Sequence, residues 1–330
     1  MKKEHRSESF GVVWLIILLM ALANTFTAFA QVKQATVLVN GISCDLEQGI
    51  LKVEFVTPDV VRVQYTFIGN GTDVCLPRAV DNPVRWVYTP NPDCYLLKSD
   101  SLIVRVDLST ASITYLDKEG GLLLQEDQNI PRISEKRVTK QVIYDEHSKH
   151  IEKTADGDKE IKNVLRYDII GHTWKYRINF KWQPLEALYG WGAHMEDYMN
   201  LRGKELYLCQ HNLKAMVSVL NSTAGYGLLF DAGCAMMFKD NSEGSFVELE
   251  AAKQIDYYFM KGKTMDAVVA NYRLLTGNSP MMPLYLFGYI QSKERYVSSD
   301  DLINTLKEYR QRQIPIDMIV QDWNYWPEGQ

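Results

Sequence analysis

Between residues 35 and 260 apolar and polar positions alternate in short runs. Residues 50–66 (ILKVEFVTPDVVRVQYT) are two such runs split by a Pro58-Asp59 turn, and 102–108 (LIVRVDL) and 111–116 (ASITYL) are two more. Lys118-Glu119-Gly120-Gly121 turns the chain into 122–125, and further runs cover 164–170, 174–180, 216–220, 226–230 and 245–249. A period of two sends every second side chain to the same face, so each run predicts a strand with one buried face. Many short strands separated by Gly and Asn turns predict an antiparallel β-sandwich.

The period changes near Thr264. Over 265–275, Val268, Val269, Tyr272 and Leu275 recur at helical spacing, with Thr264 as the cap. GNSPMMP (277–283) is a cluster of breakers and marks a domain boundary. Beyond it one β-α-β unit is predicted. Its first strand, 284–290 (LYLFGYI), is nearly all apolar, as a strand buried on both faces would be. Ser298, Ser299, Asp300 and Asp301 open the helix, Leu302, Ile303, Leu306 and Tyr309 form its apolar stripe, and Pro315 ends the connection. The second strand is 316–320 (IDMIV), and a crossover of this kind makes the two strands parallel.

Composition narrows the class. The 330 residues carry a net charge of −5 without a basic block, which argues against a nucleic-acid partner. Lys2, Lys3 and Arg6, the apolar run 11–23 and Ala28-Phe29-Ala30 have the order of a secretory signal peptide cleaved before Gln31, so a secreted or periplasmic protein is expected. A membrane anchor is the alternative, but Asn24 and Thr25 interrupt the apolar run. The five cysteines (Cys44, Cys75, Cys94, Cys209, Cys234) are odd in number, so at least one thiol stays outside any intramolecular pairing, and their wide spacing argues against a zinc site or a disulfide-dense scaffold; a bridge among the first three is open. His147-x-x-His150 and Asp156-Gly157-Asp158 lie in the charged stretch 141–163. Two histidines three apart need further ligands to hold a metal, so an Asp-Gly turn in a solvated hairpin is the preferred reading.

Chemistry concentrates after the two predicted strands of the last unit. The first runs into Gln291-Ser292-Lys293-Glu294-Arg295-Tyr296, the second into Gln321-Asp322-Trp323-Asn324-Tyr325-Trp326. In an α/β barrel the active site is built at the C-terminal ends of the strands, and both clusters fall there. Carboxylates and amides hydrogen-bond sugar hydroxyls and indoles stack on sugar rings, although aromatics at such positions also serve as core.

GYIQSKERY (288–296), the helix, and IDMIVQDWNYWPEGQ (316–330) together resemble the opening of the catalytic barrel of glycoside hydrolase family 31, closest to its bacterial α-xylosidase-like members. LYGWGAHMED (188–197), LCQHN (208–212) and NSTAGYGLLFD (221–231) resemble that family's N-terminal β-sandwich, of the galactose-mutarotase-like type, and 265–289 resembles its bridge into the barrel. After the leader over 1–30, the resemblance implies a sandwich over 31–276 and the first β-α-β of a (β/α)8 TIM barrel over 277–330. It implies retaining hydrolysis of α-glycosides by two aspartates, a nucleophile and an acid, without a cofactor. In the family both come from later barrel strands, so no catalytic residue is expected up to Gln330.

The binding residues that carry over are Asp322, matching the strand-two aspartate that holds the sugar next to the cleaved bond, then Trp326, Lys293 and Glu294 near the pocket, and Asn212 in the sandwich segment that reaches toward it. The implied partner is an α-linked oligosaccharide, of xyloglucan or glucan type, with the oligomeric state left open. The competing class is a non-catalytic carbohydrate-binding or purely structural sandwich, and within the family an α-glucosidase or transglucosidase is the alternative to an α-xylosidase. The two classes differ in whether coding sequence follows Gln330, because two strands and a helix cannot close an eight-stranded barrel.

Overall fold

The computed structural model describes residues 31–67, 83–154 and 157–323. Contacts divide the chain into two compact units between Gly277 and Asn278. The predicted leader, Cys75, Asp156 and Trp326 lie outside the described residues. Among the described residues no helix is long and apolar enough to cross a membrane.

The first unit begins with β1 (Val32–Val37), β2 (Gly41–Leu46), β3 (Gly49–Thr57) and β4 (Val60–Thr66). Next come β5 (Trp86–Pro90), β6 (Cys94–Ser99), β7 (Leu102–Asp107), β8 (Ile113–Asp117), β9 (Leu122–Glu126) and β10 (Arg132–Tyr144). A small hairpin, β11 (His150–Thr154) and β12 (Gly157–Ile161), precedes β13 (Val164–Lys181). The unit ends with β14 (Leu188–Ala193), β15 (Glu205–Leu208), β16 (Ala215–Ser222), β17 (Tyr226–Phe230), β18 (Met236–Asn241), β19 (Gly244–Ala252), β20 (Ile255–Lys261) and α1 (Met265–Thr276). Two antiparallel sheets result. One has the order β1-β2-β3-β4-β20-β17-β16-β14; the other runs β15-β18-β19-β13-β9-β8-β7-β6-β5, with β10 added to β13.

The sheets face each other across one core. Val104, Val106, Ile113 and Tyr115 of one meet Leu51, Val63, Tyr257 and Phe259 of the other. Tyr115 stacks on Phe259 across the gap, with ring centres 4.0 Å apart. Each such buried side chain contributes about 1.5–3 kcal/mol of transfer free energy. The outer face of the first sheet is closed by α1, whose Val268 and Leu275 pack on Val60, Leu229, Tyr258 and Met260. Thr264 caps this helix by accepting the Ala267 N–H at 3.2 Å. Val269, counted in its apolar stripe from the sequence, is exposed instead.

Two departures from the pattern reading concern β10 and β13. Residues 164–170 and 174–180, read as separate runs, are one 18-residue strand. Its partner β10 was not foreseen; it pairs with β13 from Arg132↔Ile178 to Tyr144↔Val164. The charged stretch beyond it is a 3₁₀ turn and the β11–β12 hairpin, with Asp145 capping the turn through the His147 N–H. Cys44, Cys94, Cys209 and Cys234 are free thiols, and burial pushes Cys44 up to about 12.

The second unit contains β21 (Ile290–Ser292), α2 (Ser299–Gln311) and β22 (Met318–Val320), with β21 and β22 parallel. The long apolar strand expected over 284–290 does not form. Leu284–Phe287 is a 3₁₀ turn, closed by Leu286 N–H to the Pro283 carbonyl at 3.0 Å, and the strand starts only at Ile290. Pro283 presents an open carbonyl at φ −64° and starts the tight turn, which overrides the β preference of the run. Leu284, Phe287 and Ile290 are exposed and the residues of β22 are half-buried, so neither strand is buried on both faces as expected. In α2, Leu302, Leu306 and Tyr309 are half-buried while Ile303 is exposed.

Candidate functional site

In the second unit the register Ile290↔Met318, Gln291↔Ile319, Ser292↔Val320 sets the C-terminal ends of β21 and β22 side by side. Lys293 and Glu294 therefore emerge next to Gln321, Asp322 and Trp323. The two loops are stitched together: the Trp323 N–H donates to the Glu294 carbonyl at 2.9 Å, and Gln321 donates to the Tyr296 carbonyl at 3.4 Å. Glu294 and Asp322 are exposed. The Lys293 ammonium lies 3.5 Å from the Asp301 carboxylate and 4.4 Å from the centre of the Tyr296 ring, a position that holds a cation at the loop without burying it. Tyr296 is buried at 4% exposure beneath this loop.

Gln291 belongs to the same sequence cluster but has a different task. Its amide oxygen accepts from the hydroxyls of Tyr289 at 2.5 Å and Tyr309 at 2.6 Å, which ties α2 to β21. The hydrogen bond with Tyr289 pushes the Tyr309 hydroxyl up from its ordinary range. The Asp317 carboxylate accepts the Tyr289 N–H at 3.1 Å and anchors the start of the pair. A rigid hydrogen-bonded base thus carries a short acidic and basic rim formed by Lys293, Glu294 and Asp322. Such a rim can accept hydroxyl protons through its carboxylates and donate through its ammonium.

Asn212 belongs to the first unit. It is exposed at the tip of the turn His211–Lys214, which closes through Lys214 N–H to the His211 carbonyl at 3.0 Å. Gln210 braces the turn, donating to the Lys214 carbonyl at 2.6 Å and accepting the Met216 N–H at 2.9 Å. The turn borders an open hollow of about 600 Å³, lined by Ala193, His194, Met195, Gln210, His211, Asn212, Leu213, Lys214 and Ala215. His194, His211 and Lys214 were not singled out from the sequence as binding residues. Only the register Ala193↔Ala215 between β14 and β16 brings their segments together.

That register depends on Tyr-Gly-Trp-Gly. Trp191 is a tryptophan at φ +60°, fully buried, between Gly190 at φ +124° and Gly192 at φ +91°. The ladder slips here, and the indole enters the core 5.7 Å from Phe230 and 6.0 Å from Phe238. A Cβ on Gly192 would sit 1.9 Å from the Ala215 carbonyl oxygen, so any side chain there forces β14 away from β16. His194 is then held by its Nε2, 2.7 Å from the Trp191 carbonyl. Among the described residues no group of three or more His, Cys, Asp or Glu converges as a metal site.

Residues 279–330 match the sequence model described as the glycosyl hydrolases family 31 TIM-barrel domain. An α-xylosidase of Saccharolobus solfataricus is 28% identical over 289 residues, covering 84% of this chain and 35% of that relative. The chain is similar to members of glycoside hydrolase family 31. It spans little more than a third of the length of that relative. Two solved family 31 structures share the fold. A dextranase of Flavobacterium johnsoniae complexed with isomaltotriose superposes with a TM-score of 0.68 at 21% identity, covering 91% of this chain and 34% of that one. An α-xylosidase from a soil metagenome complexed with xylose gives 0.67 at 21% identity, covering 90% and 42%. The antiparallel sheets of the first unit match the N-terminal β-sandwich of family 31.

Proposed function

We propose that this protein is a secreted, retaining α-glycoside hydrolase acting on terminal α-xylosyl units, with 31–276 as its sandwich domain and 277–330 as the opening of its catalytic TIM barrel. The observation that carries the proposal is the parallel β21–β22 pair, which presents Lys293, Glu294 and Asp322 at one end within the stretch matching the family's barrel. Active sites of such barrels are assembled at that end. Asp322 accepts the hydroxyls of the non-reducing sugar, Lys293 and Glu294 border the pocket, and Trp326 is proposed as a further sugar-binding residue. Asn212 is proposed as a sugar-binding residue of the sandwich domain. The nucleophile and the acid are assigned to barrel strands later than 277–330. The name of the Saccharolobus relative and the xylose in the metagenomic enzyme favour xylosyl over glucosyl units. The leader over 1–30 is assigned to export, with Gln31 as the first residue of the mature protein.

The test is a comparison of aryl α-xyloside and aryl α-glucoside with the full-length enzyme and with residues 31–330 alone. The full-length enzyme is expected to give the higher kcat/KM on the xyloside. Residues 31–330 are expected to give no turnover, because a retaining reaction needs two carboxyl groups about 5 Å apart and fixed in position. Turnover by 31–330 that disappears in an Asp322 or Glu294 variant would reverse the assignment of the catalytic pair. A preference for the glucoside would make the protein an α-glucosidase of the same family.

A further inference from the structure

The β10–β13 ribbon carries an edge that the sandwich does not cover. β13 is paired with β10 along one side, and with β19 on the other side only from Trp174 onward. Among the described residues, the outer edge of β13 from Val164 to Thr173 has no strand beside it. Tyr167 and Ile169 share one face of this stretch and are 57% and 64% exposed; Leu165, 58% exposed, is the bulged residue between Val164 and Arg166 in the ladder with β10. Arg166 and Asp168 occupy the other face and bond to each other along the strand, Arg166 Nε to Asp168 Oδ1 at 2.9 Å. A bare edge with an apolar face is a template for another strand.

The sequence of this edge selects the strand. Residues 165–169 read Leu-Arg-Tyr-Asp-Ile, which about Tyr167 is apolar, cation, aromatic, anion, apolar. A two-fold axis through Tyr167 sets Leu165 opposite Ile169 of a second copy, Arg166 opposite Asp168, and Tyr167 opposite its own equivalent. All four flanking positions then meet a complementary residue, and the intrastrand ion pair is exchanged for two cross-strand pairs. The opposite edge of the ribbon behaves differently. β10 exposes Lys136, Arg137 and Lys140 against Glu135, and antiparallel self-pairing about Val138 would set Lys136 against Lys140. That edge repels its own copy.

We infer that two copies of this protein associate through the β13 edge centred on Tyr167, forming a continuous β10-β13-β13-β10 sheet. Sedimentation velocity of the full-length protein in the micromolar range is expected to show a dimer. Asp168→Arg sets arginine against Arg166 and is expected to give a monomer with an unchanged circular dichroism spectrum. The charge exchange R166D/D168R restores opposite signs across the axis and is expected to restore the dimer. Tyr167→Cys tests the register without altering charge. Opposed residues have Cα atoms about 4.5–5.5 Å apart, within disulfide range, so this variant is expected to cross-link to itself under mild oxidation above the wild-type background. Leu165→Cys places the two thiol-bearing residues about 14 Å apart along the strands and is expected not to. A monomeric wild type, a dimer indifferent to Asp168→Arg, or cross-linking by Leu165→Cys as readily as by Tyr167→Cys would overturn the proposal.

Discussion

Replacing Arg132 by methionine is expected to destabilise the first unit by about 3–5 kcal/mol, the cost of leaving a buried charge without its partner. Arg132 and Glu126 are both buried between the sheets and form an ion pair. Glu126 also accepts the Ile113 N–H at 2.9 Å and the Tyr257 hydroxyl at 2.8 Å, and Tyr257 is 2.9 Å from the Tyr115 hydroxyl. Arg132 in turn donates to the Ala111 carbonyl at 2.9 Å. The network joins β8, β9, β10 and β20 and therefore both sheets. Desolvation already holds the Glu126 carboxyl above its ordinary range, with Arg132 the largest influence pulling it back. Without Arg132 that opposing influence is gone and the pKa rises further.

The sign of the pH dependence follows. A carboxyl whose folded pKa is raised contributes fully below its unfolded pKa of about 4.3, and that contribution is lost as pH rises through the folded value. The gap in melting temperature between wild type and Arg132→Met is therefore expected to widen from acid toward neutral pH. Thermal melts across that range are the check. A gap that is small, or that narrows with rising pH, would remove the ion pair from the list of features holding the sheets together.

This pair also shows where sequence reading ends. In a linear pattern Glu126 and Arg132 look like solvated residues near a turn; only the closure of two sheets puts them inside. The strands with one apolar face were legible because burial enforces a period of two, as in Leu102, Val104 and Val106. β10 was not legible, because most of it faces solvent and its order comes from the ladder with β13. The stretch 284–290 was misread for the opposite reason: an apolar run does not distinguish a strand from a short 3₁₀ turn started by proline. At the site, the adjacency of Lys293, Glu294 and Asp322 was legible from the β-α-β rule, which needs only the order of elements. The hollow beside Asn212 was not, because it depends on the slipped β14–β16 register around Trp191, and Gly-Trp-Gly marks a bulge without naming the strand opposite it.

Asp322→Ala in the full-length enzyme is expected to lower kcat/KM by about 2–4 kcal/mol, roughly 30- to 1,000-fold, with little change in melting temperature. The size is that of a charge-assisted hydrogen bond lost together with the hydroxyl it leaves unpaired. The neutral thermal effect follows from the position of the residue. Asp322 is exposed at the end of β22, and the neighbouring loop contact uses the Trp323 N–H and the Glu294 carbonyl, main-chain groups that the substitution leaves in place. Gln291 provides the contrast, since its amide holds Tyr289 and Tyr309 together; Gln291→Ala should lower stability as well as activity. If Asp322 binds two sugar hydroxyls, Asp322→Asn should keep part of the affinity, because an amide oxygen still accepts while the charge is gone. Steady-state kinetics on an aryl α-xyloside for the three variants, beside their melting curves, separate these roles. Wild-type kinetics in Asp322→Ala would show that the sugar next to the cleaved bond is held elsewhere.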